Sequence, residues 1–371
     1  FVASNRLLTR QYAHSLTALE RFAAHQDFAA RFEQPLKTHW QAHGNLPQPG
    51  RRIRLGYVSP DFRAHPVASF LLPVLAQHDR GQFEIFCYYL HHTGDAVTSQ
   101  VQALADRWCA CYALADDELA ARIRADGIDV LVDLAGHTAH NRLLMLARKP
   151  APVQISYLGY VATTGLAAID YRLTDRDTDP PNAQACYSET LWRLDNPIWW
   201  CYRPPADLPD VMPLPCLKKG VVTFGSTNNF AKVSPMVLAL WAKVLRAVPD
   251  SRLVVAAVPA GSAQKRLLRD LAALGVAADR VQVVGRLPYA EFWALHHRID
   301  VALDTFPYNG GTTTCDALWL GVPVIALGGV DFASRMGQSI LRCVGLPELV
   351  AASDADYVTI AQTLAQDLPR L

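Results

Sequence analysis

Four short polar stretches follow apolar runs in this sequence, and each carries side chains that could do chemistry. The longest reads Asp304-Thr305-Phe306-Pro307-Tyr308-Asn309-Gly310-Gly311-Thr312-Thr313-Thr314-Cys315-Asp316. A strand that ends in a Pro/Asn/Gly/Gly turn and opens a helix on three threonines leaves backbone N–H groups free at a positive helix end. That arrangement favours an anion. Gly310 and Gly311 lack a Cβ, so a ligand could approach the backbone. Asp316 stands one turn after Thr312, where its carboxylate could accept two vicinal ribose hydroxyls. An ordinary strand–turn–helix with a Thr cap has the same pattern.

The second stretch, Phe224 to Lys232, places Lys232 behind Asn228 and Asn229. A lysine beside polar amides can neutralise a leaving phosphate as a point charge; it can also be a solvated loop lysine. The third, Ser59 to Pro66, puts His65 before a proline that suits a helix start. A loop histidine there could act as a general base near pH 7, or be structural. The fourth, Gly136-His137-Thr138-Ala139-His140-Asn141, has two histidines with no third ligand at a recognisable spacing, so no metal is expected. His91-His92 and His296-His297 read as polar surface. Neither G-x-x-x-x-G-K-[ST] nor G-x-G-x-x-G occurs.

Composition narrows the classes. Lys+Arg 35 against Asp+Glu 34 gives a net charge of +1, without the basic excess of a nucleic-acid binder. With 51% hydrophobic and 19% charged residues, the 371-residue chain can bury large cores in two or three domains. No apolar run reaches the roughly 18 residues of a membrane span. The eight cysteines form no C-x-x-C pair, which suits buried thiols in a reducing compartment. The expectation is a cytoplasmic piece of a longer chain, without nucleic-acid or membrane partners.

The elements that must position these stretches follow from periodicity. Residues 1–50 read as helices, with Leu7, Tyr12, Leu16, Leu19, Phe22, Phe28, Phe32 and Leu36 apolar. Strands are expected at 53–59, 83–90, 128–134 and 153–158, alternating with helices at 66–77, 116–125 and 141–148. Six prolines between Asn196 and Lys219 mark a connection that is neither helix nor sheet. Strands at 221–225, 253–258, 281–284, 301–305 and 322–327 then alternate with helices at 234–248, 263–274, 289–297 and 312–320. Such alternation implies α/β domains with parallel sheets, whose ligands lie beyond the carboxyl ends of the strands.

The motifs themselves resemble one family. Ser-Pro-Asp-Phe-Arg-Ala-His-Pro at 59–66, Leu-Gly-Tyr at 158–160 and Thr-Phe-Gly-Ser at 223–226 are similar to those of the O-GlcNAc transferases and SPINDLY proteins. So are Asp-Thr-Phe-Pro-Tyr-Asn-Gly-Gly-Thr-Thr-Thr at 304–314 and Leu-Gly-Val-Pro-Val at 320–324. The resemblance, from about Arg52 onward and nearest to bacterial homologues, implies a GT-B fold. In it, two Rossmann-like domains face a nucleotide-sugar cleft behind tetratricopeptide helices. The boundaries expected are 1–50 (helical), 51–200, 201–220 (linker) and 221–371.

It also implies an inverting, metal-independent transfer, most simply of GlcNAc from UDP-GlcNAc to Ser/Thr hydroxyls of proteins or peptides. By position, His65 matches the histidine proposed as a base at the acceptor hydroxyl, and Lys232 the lysine on the donor diphosphate, with Asn229 beside it. Thr312 and Thr313 match the diphosphate threonines and Asp316 the ribose acid, with Arg286 and Leu287 also on the nucleotide. Pro66, His137, Leu158, Gly159 and Gly311 fall in the sugar and acceptor pocket. Two positions depart from the O-GlcNAc transferase pattern. Gly311 stands where those enzymes have histidine, and the 285–292 loop offers Tyr289 and Phe292 instead of a lysine and a histidine. The donor thus stays open among UDP-GlcNAc, GDP-fucose and UDP-glucose, and a non-catalytic nucleotide-binding scaffold stands as the alternative from another class.

Overall fold

A computed structural model describes residues 2–204 and 208–371; Pro205 and the side chain of Tyr289 lie outside the described residues. The chain divides into two compact units, one ending at Arg203 and the other running from Pro204 to Leu371.

The first unit begins with α1 (Val2–Arg10) and α2 (Ala18–Phe32). Then come β1 (Ile53–Ser59), α3 (Pro66–Gln77), β2 (Phe83–Tyr89), α4 (Ala96–Leu104), β3 (Arg107–Ala110) and α5 (Asp116–Ala125). They are followed by β4 (Val130–Asp133), α6 (Leu143–Leu146), β5 (Val153–Ser156), β6 (Tyr171–Asp175) and β7 (Thr190–Leu194). The strands form a seven-stranded sheet in the order β3-β2-β1-β4-β5-β6-β7, parallel throughout. Parallel strands are covered on both faces, which is why β1 is buried from Leu55 to Ser59 without alternation.

The second unit holds α7 (Pro215–Lys219), β8 (Thr223–Ser226), α8 (Pro235–Ala247), β9 (Arg252–Val255), α9 (Ser262–Ala273) and β10 (Val281–Val283). It continues with α10 (Tyr289–Leu295), β11 (Val301–Leu303), α11 (Thr312–Trp319), β12 (Val324–Leu327), α12 (Phe332–Cys343), β13 (Val350–Ala351) and α13 (Asp354–Gln366). Its six parallel strands run β10-β9-β8-β11-β12-β13, around a core centred on Trp241, Leu253, Ile325 and Tyr357.

Strand order decides where a ligand can sit. In the first sheet it reverses between β1 and β4, and in the second between β8 and β11. A crevice opens beyond the carboxyl ends at such a reversal. The loops behind β1 and β4 are 60–65 and 134–142; those behind β8 and β11 are 227–234 and 304–311. The four polar stretches picked out by sequence are these four loops.

The N-terminal helices are part of the first unit's interior. Leu7, Ala24 and Phe28 join the same core as Val58, Tyr88 and Leu131, whereas Leu19, expected inward, is 63% exposed. A capping box starts α2: the Thr17 hydroxyl accepts from the Glu20 N–H at 3.2 Å, and the Glu20 carboxylate accepts from the Thr17 N–H at 2.8 Å. Buried His25 faces the Arg21 carbonyl at 2.6 Å and the Tyr160 hydroxyl at 2.9 Å. Burial pushes its pKa down to about 4, and that of the neighbouring His137 to about 3. Both stay neutral in the fold, while an unfolded histidine takes up a proton below about 6.5. Stability from a neutral buried histidine is therefore lost as pH falls from about 6.5 towards its folded pKa. The cost of His25→Gln is expected to shrink by about 2 kcal/mol between pH 7 and pH 5, measured by denaturant melts of both proteins. A pH-independent cost would refute this reading of His25.

Some elements differ from expectation. The helix expected at 141–148 is a single turn, α6, and the strand expected at 128–134 shortens to β4. The proline-rich stretch does contain a helix, α7, because Pro215 falls in its first turn, where no N–H bond is lost; Gly220, at φ +72, ends it. The strand–helix reading omitted α4, β3, β6, β7, α12, β13 and α13.

Candidate functional site

At the second unit's strand reversal, Asp304 leaves β11 and is 3% exposed. Its Oδ1 accepts from the Gly310 N–H at 2.6 Å, the Thr305 N–H at 2.8 Å and the Asn228 amide at 3.1 Å. The carbonyl end of the Asn228 amide accepts from the Thr313 hydroxyl at 2.9 Å. Loop and helix start are thus held by one buried carboxylate and one buried amide. A Cβ on Gly310 would fall 2.6 Å and 2.7 Å from the Thr314 and Thr313 hydroxyls, so this position requires glycine. Gly311, at the N-cap of α11, has no side chain with which to cap it, and the Thr312 and Thr313 N–H groups find no carbonyl within the described backbone bonds. The result is an anion-ready helix end.

Lys232 reaches the same loop. Its Nζ donates to the Asn309 carbonyl at 2.6 Å and lies 4.2 Å from the centre of the Tyr308 ring. Burial pushes its pKa down to about 8, against the opposing charge of Asp304. Asn309 is rigidly seated: its amide donates to the Thr305 carbonyl at 2.8 Å, and its own N–H donates to the Ala333 carbonyl at 2.9 Å. Asn229 is exposed and caps the Phe230–Lys232 turn through the Ala231 N–H at 3.1 Å. Asp316 is buried one turn into α11. Arg286 is exposed and Leu287 packs on the core, both behind β10 at the sheet's outer edge. The described hydrogen bonds do not link them to the Lys232 cluster. Sequence reading missed Asn228, Asp304, Tyr308 and Asn309 as site residues, although each lies inside a stretch that it singled out.

In the first unit, His65 is the N-cap of α3, with Pro66 in the first turn. Its Nδ1 accepts from the Val67 N–H at 3.3 Å and lies 3.6 Å from the Asp61 carboxylate. Burial lowers its pKa while Asp61 opposes that, so the ring is neutral near pH 7. While Nδ1 accepts the capping bond, the ring proton sits on Nε2. Nε2 becomes a base when Nδ1 carries the proton instead and turns it to Asp61.

Leu158 and Gly159 lie behind β5, in a loop clamped from several sides. Arg172, fully buried, donates to the carbonyls of Tyr160 at 2.7 Å and Ala162 at 3.1 Å. Buried Glu189 accepts from the hydroxyls of Thr163 and Thr164, each at 2.5 Å. Glu33, just after α2, accepts from the N–H groups of Ala167 and Ala168 at 3.0 Å and 2.7 Å. Leu158 is held at φ +70, a left-handed conformation that a branched side chain rarely adopts and that clusters at functional sites. A Cβ on Gly159 would lie 1.8 Å from the Leu134 carbonyl oxygen. His137 was expected in the pocket, but it is fully buried. Its ring nitrogens face the Ser4 hydroxyl at 3.1 Å and the Thr164 carbonyl at 2.8 Å, so it braces the loop that carries Thr164.

Among the described residues no group of three His, Cys, Asp or Glu side chains could hold a metal ion, and no helix is long and apolar enough to cross a membrane.

Two parallel α/β units with polar loops at their strand reversals make this a GT-B chain, the class that a close structural relative shares. An O-GlcNAc transferase from Thermobaculum terrenum, solved as a point mutant, superposes with a TM-score of 0.93 at 39% identity, over 99% of this chain and 70% of that one. The chain belongs to glycosyl transferase family 41, whose profile matches residues 29–199 and 215–371. It is 40% identical over 99% of its length to the SPINDLY protein of Solanum lycopersicum, described as a probable UDP-N-acetylglucosamine–peptide N-acetylglucosaminyltransferase. The SEC protein of Arabidopsis thaliana, described in the same words, is 32% identical over 96% of the chain. The chain spans 40% of the length of the former and 38% of the latter.

Proposed function

We propose that this chain transfers a sugar, GlcNAc from UDP-GlcNAc, to Ser/Thr hydroxyls of polypeptides by a single displacement without a metal. The observation that carries the reading is Lys232 docked on the Asn309 carbonyl beside the uncapped start of α11. The acceptor oxygen attacks the anomeric carbon, the bond to the diphosphate oxygen breaks, and configuration inverts. The hydroxyl proton leaves to His65 Nε2 when Asp61 holds Nδ1–H. Negative charge developing on the leaving diphosphate meets the Lys232 ammonium and the N–H groups of Thr312 and Thr313. Asp316 takes the ribose hydroxyls. The names of the Thermobaculum and Solanum relatives support the donor and acceptor classes.

GDP-fucose is the second reading, favoured by Gly311 standing where O-GlcNAc transferases carry histidine. Calorimetric titration with UDP and with GDP separates the two. UDP is expected to bind at least tenfold more tightly, and Asp316→Ala to weaken it about tenfold through the lost ribose bonds. Preference for GDP would overturn the donor; unchanged UDP affinity in Asp316→Ala would remove the ribose role.

A further inference from the structure

The geometry points to Asp304 as a positioning residue of the donor site, which fixes the diphosphate-binding helix start through Asn228 and supplies the counter-charge to Lys232. This deepens the proposed donor reading and rests on it.

Asp304 touches no position assigned to the ligand. Its Oδ1 gathers the Gly310 N–H, the Thr305 N–H and the Asn228 amide, three donors from two loops. Asn228 passes the constraint to Thr313 through its other amide atom. An asparagine has one acceptor and one donor end, so Asp304 at one end obliges Asn228 to present its oxygen to the Thr313 hydroxyl. The hydroxyl proton is spent there, and the Thr313 oxygen keeps a fixed rotamer at the helix start.

The second oxygen, Oδ2, is buried without a hydrogen-bond partner. Room for it exists because Gly337 of α12 has no side chain; a Cβ there would lie 2.8 Å away. An apolar residue here would leave the three donors on Oδ1 unpaired, whereas an asparagine could keep that acceptor without burying a charge. A charge-dependent role accounts for it. The charged group acting on Lys232 is Asp304; the other neighbours are the Tyr308 ring and the neutral Asn309 carbonyl. On the far side, the Tyr357 hydroxyl of α13 donates to the Asp304 carbonyl at 3.1 Å, and burial keeps that phenol neutral. Burial raises the Asp304 carboxyl to about 6, so it is charged at neutral pH, where it holds Lys232 protonated. As pH rises through about 8 the unliganded Lys232 loses its proton, and anion affinity should fall with it.

The test measures UDP affinity from pH 6.5 to 9.5 in the intact chain, in Asp304→Asn and in Asn228→Ala. Asp304→Asn keeps the Oδ1 acceptor but removes the charge. It is expected to weaken UDP about tenfold at pH 8 and to move the alkaline fall down by about one pH unit. Asn228→Ala keeps the charge and breaks the relay. It is expected to weaken UDP several-fold at every pH and leave the midpoint in place. Unaltered affinity and midpoint in Asp304→Asn overturn the proposal. If that variant does not fold, unaltered affinity in Asn228→Ala overturns the positioning role. If the unmodified chain binds no UDP, the donor reading fails instead. The Lys232 titration, followed by NMR of its side chain in both proteins, then still decides the charge role, and an equal titration midpoint rejects it.

Discussion

Lys232→Ala is expected to lower sugar transfer by roughly a thousandfold, about 4 kcal/mol of transition-state stabilisation, while the melting temperature holds within a few degrees. The two halves have one cause. The ammonium is held against the Asn309 carbonyl and the Tyr308 face, and burial already depresses its pKa to about 8. A lysine kept partly desolvated in this way costs the fold something. Its removal therefore relieves one penalty while losing one hydrogen bond and one ring contact. What cannot be replaced is a cation at the diphosphate when charge develops there. Initial rates at saturating donor and thermal melts together check this. Turnover within tenfold of the unmodified chain would take Lys232 out of the mechanism.

Gly159→Ala is expected to remove measurable transfer and to cost about 3 kcal/mol of stability. The added methyl would have to share space with the Leu134 carbonyl oxygen, which is backbone and cannot rotate away. The loop cannot yield either. Arg172, Glu189 and Glu33 tie down its carbonyls, hydroxyls and N–H groups from Tyr160 to Ala168. The strain therefore falls on Leu158, already at φ +70, and on the sugar pocket proposed around it. Denaturant melts and transfer assays on the same preparation read both effects. A variant with normal stability and turnover would show that the close approach is not needed.

Much of this arrangement is legible in the sequence because strands and turns announce themselves locally. The apolar runs at 53–59 and 301–305, each closed by turn residues, place their loops without reference to the rest of the chain. Ser234-Pro235 and Pro66 mark helix starts for the same reason. The edge strands β3 and β7 are not legible, since they are short and partly exposed, with Trp192 at 57% exposure, and carry no clean period. By contrast α12 shows a readable signal: the Asp331 cap, then Phe332, Met336 and Ile340 on one face.

The supporting residues were hidden for another reason. Asp304, Asn228, Arg172 and Glu189 act through partners that are often far off in sequence. A buried polar residue has no periodicity to betray it. His137 shows the converse. Its place in a Gly-His-Thr loop behind a strand suggests a ligand contact, and only the folded chain shows that it is buried against the Thr164 carbonyl.

The most direct test of the donor site is a structure of the chain with UDP bound. The diphosphate is predicted to lie on the N–H groups of Thr312 and Thr313 within hydrogen-bond reach of Lys232 Nζ, with the ribose on Asp316. A diphosphate bound elsewhere, or a nucleotide held without Lys232, would contradict the account.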